Sequence, residues 1–244
     1  MSLAGTACVT GADRGLGLAL ARRLLEQGYR VAAGRLSEED GEGLSELREK
    51  YGLRMLTVRM DVADDGSVRE AAAAIAAFAG EAGIDALINN AAILGDIAKT
   101  IEDPLDYEEM LRVYNVNALG PLRASAALLP LVLRSRGKLI MNISSEAGSI
   151  GDCYREGWFA YAMSKSALNM ETALLHNHAR KSGGAVLSVH PGWVRSYMQG
   201  KLDAEATYAP DEAAAHIVKL ASSPERFRTD KPAFVDLLGK PLPW

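Results

Sequence analysis

Tyr161 and Lys165 stand one helical turn apart in YAMSK, and a serine pair, Ser144 and Ser145, closes an apolar run upstream of them. Side chains at i and i+4 share a helix face, so the phenol and the ammonium point into one space. The run from Lys138 to Ile143 has the length and bounds of a buried strand. That places both serine hydroxyls at a strand end. A hydroxyl, a phenol and an amine gathered in this way make a device for moving a proton. A free phenol ionises near pH 10, and a positive charge close by is what would bring it toward neutrality.

A second constellation opens the chain. Thr6 to Thr10 reads as a short apolar strand, followed at once by Gly11-Ala-Asp-Arg-Gly15-Leu-Gly17 and then by Leu16, Leu20, Leu24 and Leu25 at helical spacing until Gly28. Strand, glycine turn and helix form the first part of a dinucleotide-binding unit. Gly11 suits a tight turn, Gly15 an approach free of side chains, and Gly17 close packing of the helix on the sheet. The helix N-terminus then presents unpaired N–H groups and a positive dipole end to a pyrophosphate. The second strand, Arg30 to Gly34, ends in Arg35 with no acid before Glu38. An acid at this strand end suits the ribose of NAD, whereas arginine suits a 2′-phosphate. Arg14 and Arg35 together favour NADP(H) over NAD(H), unless both are solvated surface arginines.

The remaining elements must hold these two sites together. Ser37 to Tyr51 reads as a polar helix and Leu53 to Met60 as a strand ending in Asp61-Val62. Asp64 caps an alanine-rich helix to about Ala82. Asp61 could bond an adenine amino group or serve its own loop. Ile84 to Asn89 is a strand closed by Asn89-Asn90-Ala91-Ala92, a tetrad able to tie loop backbones together. A long helix runs from Pro104 or Leu105 to Arg134, with Asn117 near its middle among apolar neighbours, so Asn117 needs a water or backbone carbonyl as partner. Ala185 to Val189 is a strand leading to His190-Pro191-Gly192-Trp193-Val194. Gly200 to Tyr208 is expected as a mobile loop, Pro210 to Ser222 as a helix and Pro232 to Leu237 as the last strand. Neither a linker nor a repeat divides residues 1–244, which predicts one domain.

Composition narrows the class. The chain is 48% hydrophobic and 24% charged with net charge -4, ordinary for a globular enzyme and unpromising for nucleic acid. No uncharged run reaches the roughly 18 residues of a membrane span. Neither a signal pattern nor a disulfide framework is evident from the N-terminus or from Cys8 and Cys153, so a cytoplasmic enzyme is expected. His176 and His178, two apart on a helix, do not share a face, and no metal site is expected. His190 precedes a Pro-Gly turn and reads as packed or backbone-bonded. A second Tyr-x-x-x-Lys, Tyr197 with Lys201, includes Gly200 and has no serine pair before it, so it reads as incidental.

In order and spacing, TGADRGLG at 10–17, NNAA at 89–92, Asn117 in NALG, Ser145 in NISSEAG, YAMSK at 161–165 and PGWV at 191–194 resemble the single-domain branch of the short-chain dehydrogenase/reductase family. Within it, SSEAGSI, GWFAYAMSKSALNM and the terminal LPW are similar to the C-factor and sniffer-type carbonyl reductases. The resemblance implies an α/β, doubly wound Rossmann fold with a parallel sheet of about seven strands and helices on both faces. It implies NAD(P)-dependent oxidoreduction of a small-molecule carbonyl or alcohol, and a homodimer or homotetramer built through the helices Pro104–Arg134 and Trp158–Lys181. Leu128, Met170 and Leu174 are candidates for their outer faces.

Carried over by position, the catalytic set is Asn117, Ser145, Tyr161 and Lys165. Tyr161 would exchange the substrate proton, Ser145 would polarise the carbonyl with Ser144 as runner-up, and Lys165 would hold the nicotinamide ribose and lower the Tyr161 pKa. Asn117 would anchor a water leading from Lys165 to solvent. Cofactor contacts are implied for Thr10, Gly11, Arg14, Gly15, Leu16, Gly17, Arg35, Asp61, Val62, Asn90, Ala91, Tyr161, Lys165, Pro191, Gly192, Val194 and Ser196. The segment between Ser145 and Tyr161 is longer than the family's commonest spacing, which enlarges the loop Gly148–Phe159. Tyr154, Trp158, Phe159, Trp193, Tyr197 and Met198 either line a substrate pocket for a bulky apolar or aromatic compound or pack in the core. A cofactor-binding regulator with little turnover is the alternative from another class.

Overall fold

The computed structural model describes residues 4–196, 198 and 203–244. Seven strands, β1 (Thr6–Val9), β2 (Arg30–Arg35), β3 (Met55–Arg59), β4 (Ala86–Asn89), β5 (Leu139–Ile143), β6 (Ala185–His190) and β7 (Ala233–Asp236), form one sheet in the order β3-β2-β1-β4-β5-β6-β7. Every pairing is parallel. Parallel neighbours require crossovers, here helices on both faces. The expected doubly wound sheet is the one observed.

Alternation along the strands sorts the side chains into two cores. In β5, Leu139, Met141 and Ile143 face one layer while Ile140 faces the other; in β1, Ala7 and Val9 oppose Cys8. The first layer is closed by Leu20, Leu24 and Leu25 of α1 (Gly15–Glu26), Leu44 of α2 (Glu42–Tyr51) and Ile217 of α7 (Pro210–Ala221). The second is closed by Ile75 of α3 (Asp65–Ala79), Leu128 of α5 (Gly120–Arg134) and Ala179 of α6 (Phe159–Ala179). Burial pushes the Cys8 thiol up to about 12, which leaves it inert.

Four expectations change. The polar helix starts at Glu42, not Ser37, because residues 37–40 are held by other contacts described below. The long helix opens as α4 (Tyr107–Tyr114), capped by Asp106, which accepts from the Glu108 and Glu109 amides. It continues through one π turn, Asn115–Leu119, into α5. Leu128 is not on an outer face: it is fully buried against the sheet, whereas Met170 and Leu174 are exposed. Finally, Tyr107–Arg134 is, by length and composition, apolar enough to cross a membrane, and half of its most apolar window is buried within the protein.

Candidate active site

In the order β3-β2-β1-β4-β5-β6-β7 the crossover direction reverses between β1 and β4. Loops leaving the C-terminal ends of these strands diverge there and open a crevice, the usual ligand position in such sheets. The glycine turn after β1 forms one wall. Gly11 has φ +63 and lies so close to Ala91 that a Cβ would stand 2.8 Å from its Cα. A Cβ at Gly17 would overlap the Gly11 carbonyl oxygen and crowd Asn90. Gly15 differs: φ is +55, and the space its Cβ would enter is open. Arg14 sits exposed at the N-cap of α1, whose first turn has no side-chain cap and no acidic residue. An uncapped helix N-terminus beneath an open glycine suits a pyrophosphate.

Thr10 and Asn90 build this wall from behind. The Thr10 hydroxyl accepts from the Asn90 and Ala91 amides at 3.0 and 3.1 Å. The Asn90 side chain donates to the Thr10 and Gly11 carbonyls, both at 3.0 Å. Both side chains therefore shape the loop, and the Asn90 Oδ1 and the Thr10 hydroxyl proton are left for other partners. Asp61 accepts from the Ala63 amide at 2.9 Å, the loop role, while Val62 is buried against Gly120.

Arg35 lies at the end of β2 as expected, but its guanidinium is engaged. Its Nε donates to Asp40 Oδ1 at 2.7 Å, and another of its nitrogens donates to the Ser37 carbonyl. Asp40, only 5% exposed at its side chain, also pairs with Arg48 and accepts from Thr57 of β3 at 3.0 Å. Asp13 holds the Leu36 and Ser37 amides. These ties replace the first turn of the expected helix. Asp40 is the partner of Arg35 that the sequence pattern missed, since only the fold brings it to β3.

On the other side of the crevice the proton-transfer residues converge. Lys165, 2% exposed, donates from Nζ to the Ile143 carbonyl at 2.8 Å. That leaves two of its three N–H donors for other partners. The same Nζ lies 5.5 Å from the centre of the Tyr161 ring. Ser145 follows β5; its hydroxyl accepts from the Ala147 amide at 3.1 Å and stands near enough to the Tyr161 phenol to draw its pKa down against the larger effect of burial. Ser144 is turned away: its hydroxyl donates to Asn169 Oδ1 at 2.7 Å, deep in α6.

Asn117 has the backbone partner expected of it. Its amide donates to the Ile93 carbonyl at 2.8 Å and accepts from the Ile93 amide at 2.9 Å. It also donates to Ser164 at 3.1 Å, and Ser164 bonds the Tyr161 carbonyl. The π turn presents Asn117 to both the loop after β4 and helix α6.

The electrostatic state differs from the expectation. Burial pushes the Tyr161 phenol up to about 12, with the nearby Ser145 hydroxyl only partly opposing it. Burial also pulls the Lys165 amine down to about 7. In the protein alone, desolvation outweighs the mutual help of phenol and ammonium.

The segment after β6 closes the crevice. Pro191 and Gly192 turn the chain at φ +77, where a Cβ would press on the Tyr208 ring. Val194 bridges Tyr208, and the Ser196 carbonyl accepts from the Asp203 amide at 3.0 Å. The Trp193 indole donates to Asp203 at 2.7 Å. His190 accepts from the Glu146 amide, the backbone-bonded role expected of it. His176 is fully buried between Val186 and Thr229, and His178 is exposed on another face. Tyr154, Trp193 and Met198 are exposed and Trp158 and Phe159 partly so, so none of them packs in the core. Tyr197, Gly200 and Lys201 lie outside the described residues.

A family model described as short chain dehydrogenase matches residues 5–207. The chain belongs to this family. The C-signal of Myxococcus xanthus is 32% identical over 167 residues, covering 66% of this chain and 93% of that protein. Several other curated relatives are longer, and the chain spans 49% to 59% of their length. An NADPH-bound carbonyl reductase from chicken fatty liver superposes with a TM-score of 0.86 at 31% identity, over 100% of this chain and 96% of that one. The carbonyl reductase Sniffer of D. melanogaster superposes with a TM-score of 0.87 at 26% identity, over the whole of both chains.

Proposed function

We propose that this short-chain dehydrogenase is an NADP(H)-dependent carbonyl reductase. The observation that carries the reading is the meeting of Ser145, Tyr161 and Lys165 across the crevice from the open Gly15 turn. The likeness to an NADPH-bound carbonyl reductase supports the choice of cofactor, as does the exposed Arg14 in the glycine turn, whereas Arg35 is taken up by Asp40. When bound, the reduced nicotinamide supplies a hydride.

The chain's own residues do the rest. The uncapped N-terminus of α1 and the Gly15 turn would hold the pyrophosphate, and the N–H donors that Lys165 has left would take ribose hydroxyls. Ser145 donates to the substrate oxygen and polarises it, acting where charge develops. Tyr161 gives that oxygen its proton. A phenol at about 12 is protonated throughout the neutral range, which suits reduction; the reverse reaction needs the phenolate. Asn117, tied to Ile93 and through Ser164 to the Tyr161 backbone, keeps the proton donor in place and leads toward Lys165 for its renewal.

The substrate is a small-molecule carbonyl compound, and the working form is a homodimer or homotetramer through α4 and α6. Exposed Tyr107, Leu111, Met170 and Leu174 support that assembly. Light scattering on the purified chain tests it: more than one chain per particle is expected, and a strict monomer contradicts it. The activity is tested by following NADPH consumption with a panel of ketones and aldehydes.

A further inference from the structure

Arg155 occupies the loop that lengthens the spacing between Ser145 and Tyr161, and it is not a solvated arginine. Its side chain is 14% exposed. Its two terminal nitrogens donate to the two oxygens of Glu146 at 2.9 and 2.7 Å, a fork-to-fork pair. Its guanidinium carbon lies 4.6 Å from the Tyr154 ring centre and 4.8 Å from that of Trp158. Both distances are within cation–π range.

Trp158 is held in a costly conformation. It is the N-cap of α6 at φ +64, the left-handed region that a bulky residue rarely enters. Its ring meets Tyr161 edge to face, with centroids 6.1 Å apart. Just before it, Gly157 bridges Thr100, and a Cβ there would press on the Lys99 carbonyl oxygen. Glu146, the other end of the chain of contacts, directly follows Ser145, and its amide is fixed on His190. Glu146, Arg155, Trp158 and Tyr161 are thus linked in series, from the residue after Ser145 to the proton-donor candidate on α6.

We infer that Arg155 is a specificity-determining positioning residue: paired with Glu146, it clamps the Trp158 indole beside Tyr161 as a flat wall that selects aryl ketones over small aliphatic carbonyls. The inference rests on the reductase reading for its substrate class. A planar guanidinium is needed, because a lysine ammonium can neither fork onto a carboxylate nor lie flat along an indole.

Arg155→Ala, Arg155→Lys, Glu146→Gln and the double variant test it with NADPH. Acetophenone and propanal serve as probes. For acetophenone, Arg155→Ala is expected to raise KM about tenfold with kcat changed less than about threefold, the mark of lost binding rather than lost chemistry. For propanal neither constant moves. Arg155→Lys resembles the alanine variant, and the double variant is no worse than either single one, since the two residues act as a unit. Equal losses on both substrates, or full rescue by lysine, overturn the proposal. Hydrogen–deuterium exchange over 149–158 reads the clamp without any turnover. Exchange about tenfold faster there in Arg155→Ala, with β1 to β5 unchanged, is expected; unchanged exchange overturns the clamp. Wild-type protein idle on every carbonyl would defeat the reductase reading, and the exchange measurement would still decide the clamp.

Discussion

Ser144 and Ser145 are adjacent, chemically identical and both almost fully buried, yet their surroundings assign them different work. The Ser145 hydroxyl draws the Tyr161 pKa down, while that of Ser144 is bound to Asn169. Ser145→Ala is therefore expected to lower kcat by about 10²–10³. Ser144→Ala should cost about 1–3 kcal/mol of stability by orphaning the Asn169 oxygen and leave kcat within a few-fold. Steady-state kinetics with thermal melts separate the two, and the reverse pattern would contradict the assignment. The titration of Tyr161 gives a second expectation. With the phenol pushed up to about 12, carbonyl reduction should be insensitive to Tyr161 across neutral pH, and alcohol oxidation should rise with pH because it needs the phenolate. Glu171 gives a third. Both its carboxyl oxygens are buried without a hydrogen-bond partner among the described residues, and burial raises its pKa from 4.5 to about 8. Between those values the folded chain keeps a proton that the unfolded chain has lost, so stability is full below 4.5 and falls as pH climbs to 8. Glu171→Gln should melt with the wild type at pH 4.5 and several degrees above it at pH 8. Parallel melting curves at both pH values would contradict this.

At the scale of elements, α6 carries Tyr161 and Lys165, so whatever sets its position sets the site. A buried polar chain does this: Asn89 donates to Asn142, Asn142 to Thr172, and Thr172 shares a hydrogen bond with Ser188. Thr172→Val keeps the shape and removes the hydroxyl. It should cost about 1–3 kcal/mol of stability and lower activity by loosening α6, measurable by chemical denaturation beside turnover. The sequence is informative where signals are local. Asp64 caps α3 through the Ser67 amide as its spacing implies, and Gly11, Gly15 and Gly17 each hold the conformation or the close packing that their pattern calls for. It is uninformative where the deciding partner is distant. Asp40 reaches β3 only once β2 and β3 have paired, so a helix starting at Ser37 looks equally good in sequence. The π turn at Asn117 exists because Ile93 and Ser164 both bond that side chain, and neither is close in sequence. Burial of Leu128 likewise depends on which face of α5 meets the sheet.

For the whole molecule, seven parallel strands bring the glycine turn after β1 and the serine after β5 to the same edge, on either side of the reversal in strand order. Neither half of the chemistry could act without that topology. Whether these halves form one NADP(H)-dependent carbonyl reductase with Tyr161 as proton donor is read by initial rates of NADPH and NADH oxidation with aryl ketones, for wild type and Tyr161→Phe. Turnover with NADPH exceeding that with NADH is expected, and a loss of about 10²–10⁴ in the variant with NADPH binding retained. Tight NADPH binding by both proteins with no turnover on any carbonyl would contradict it.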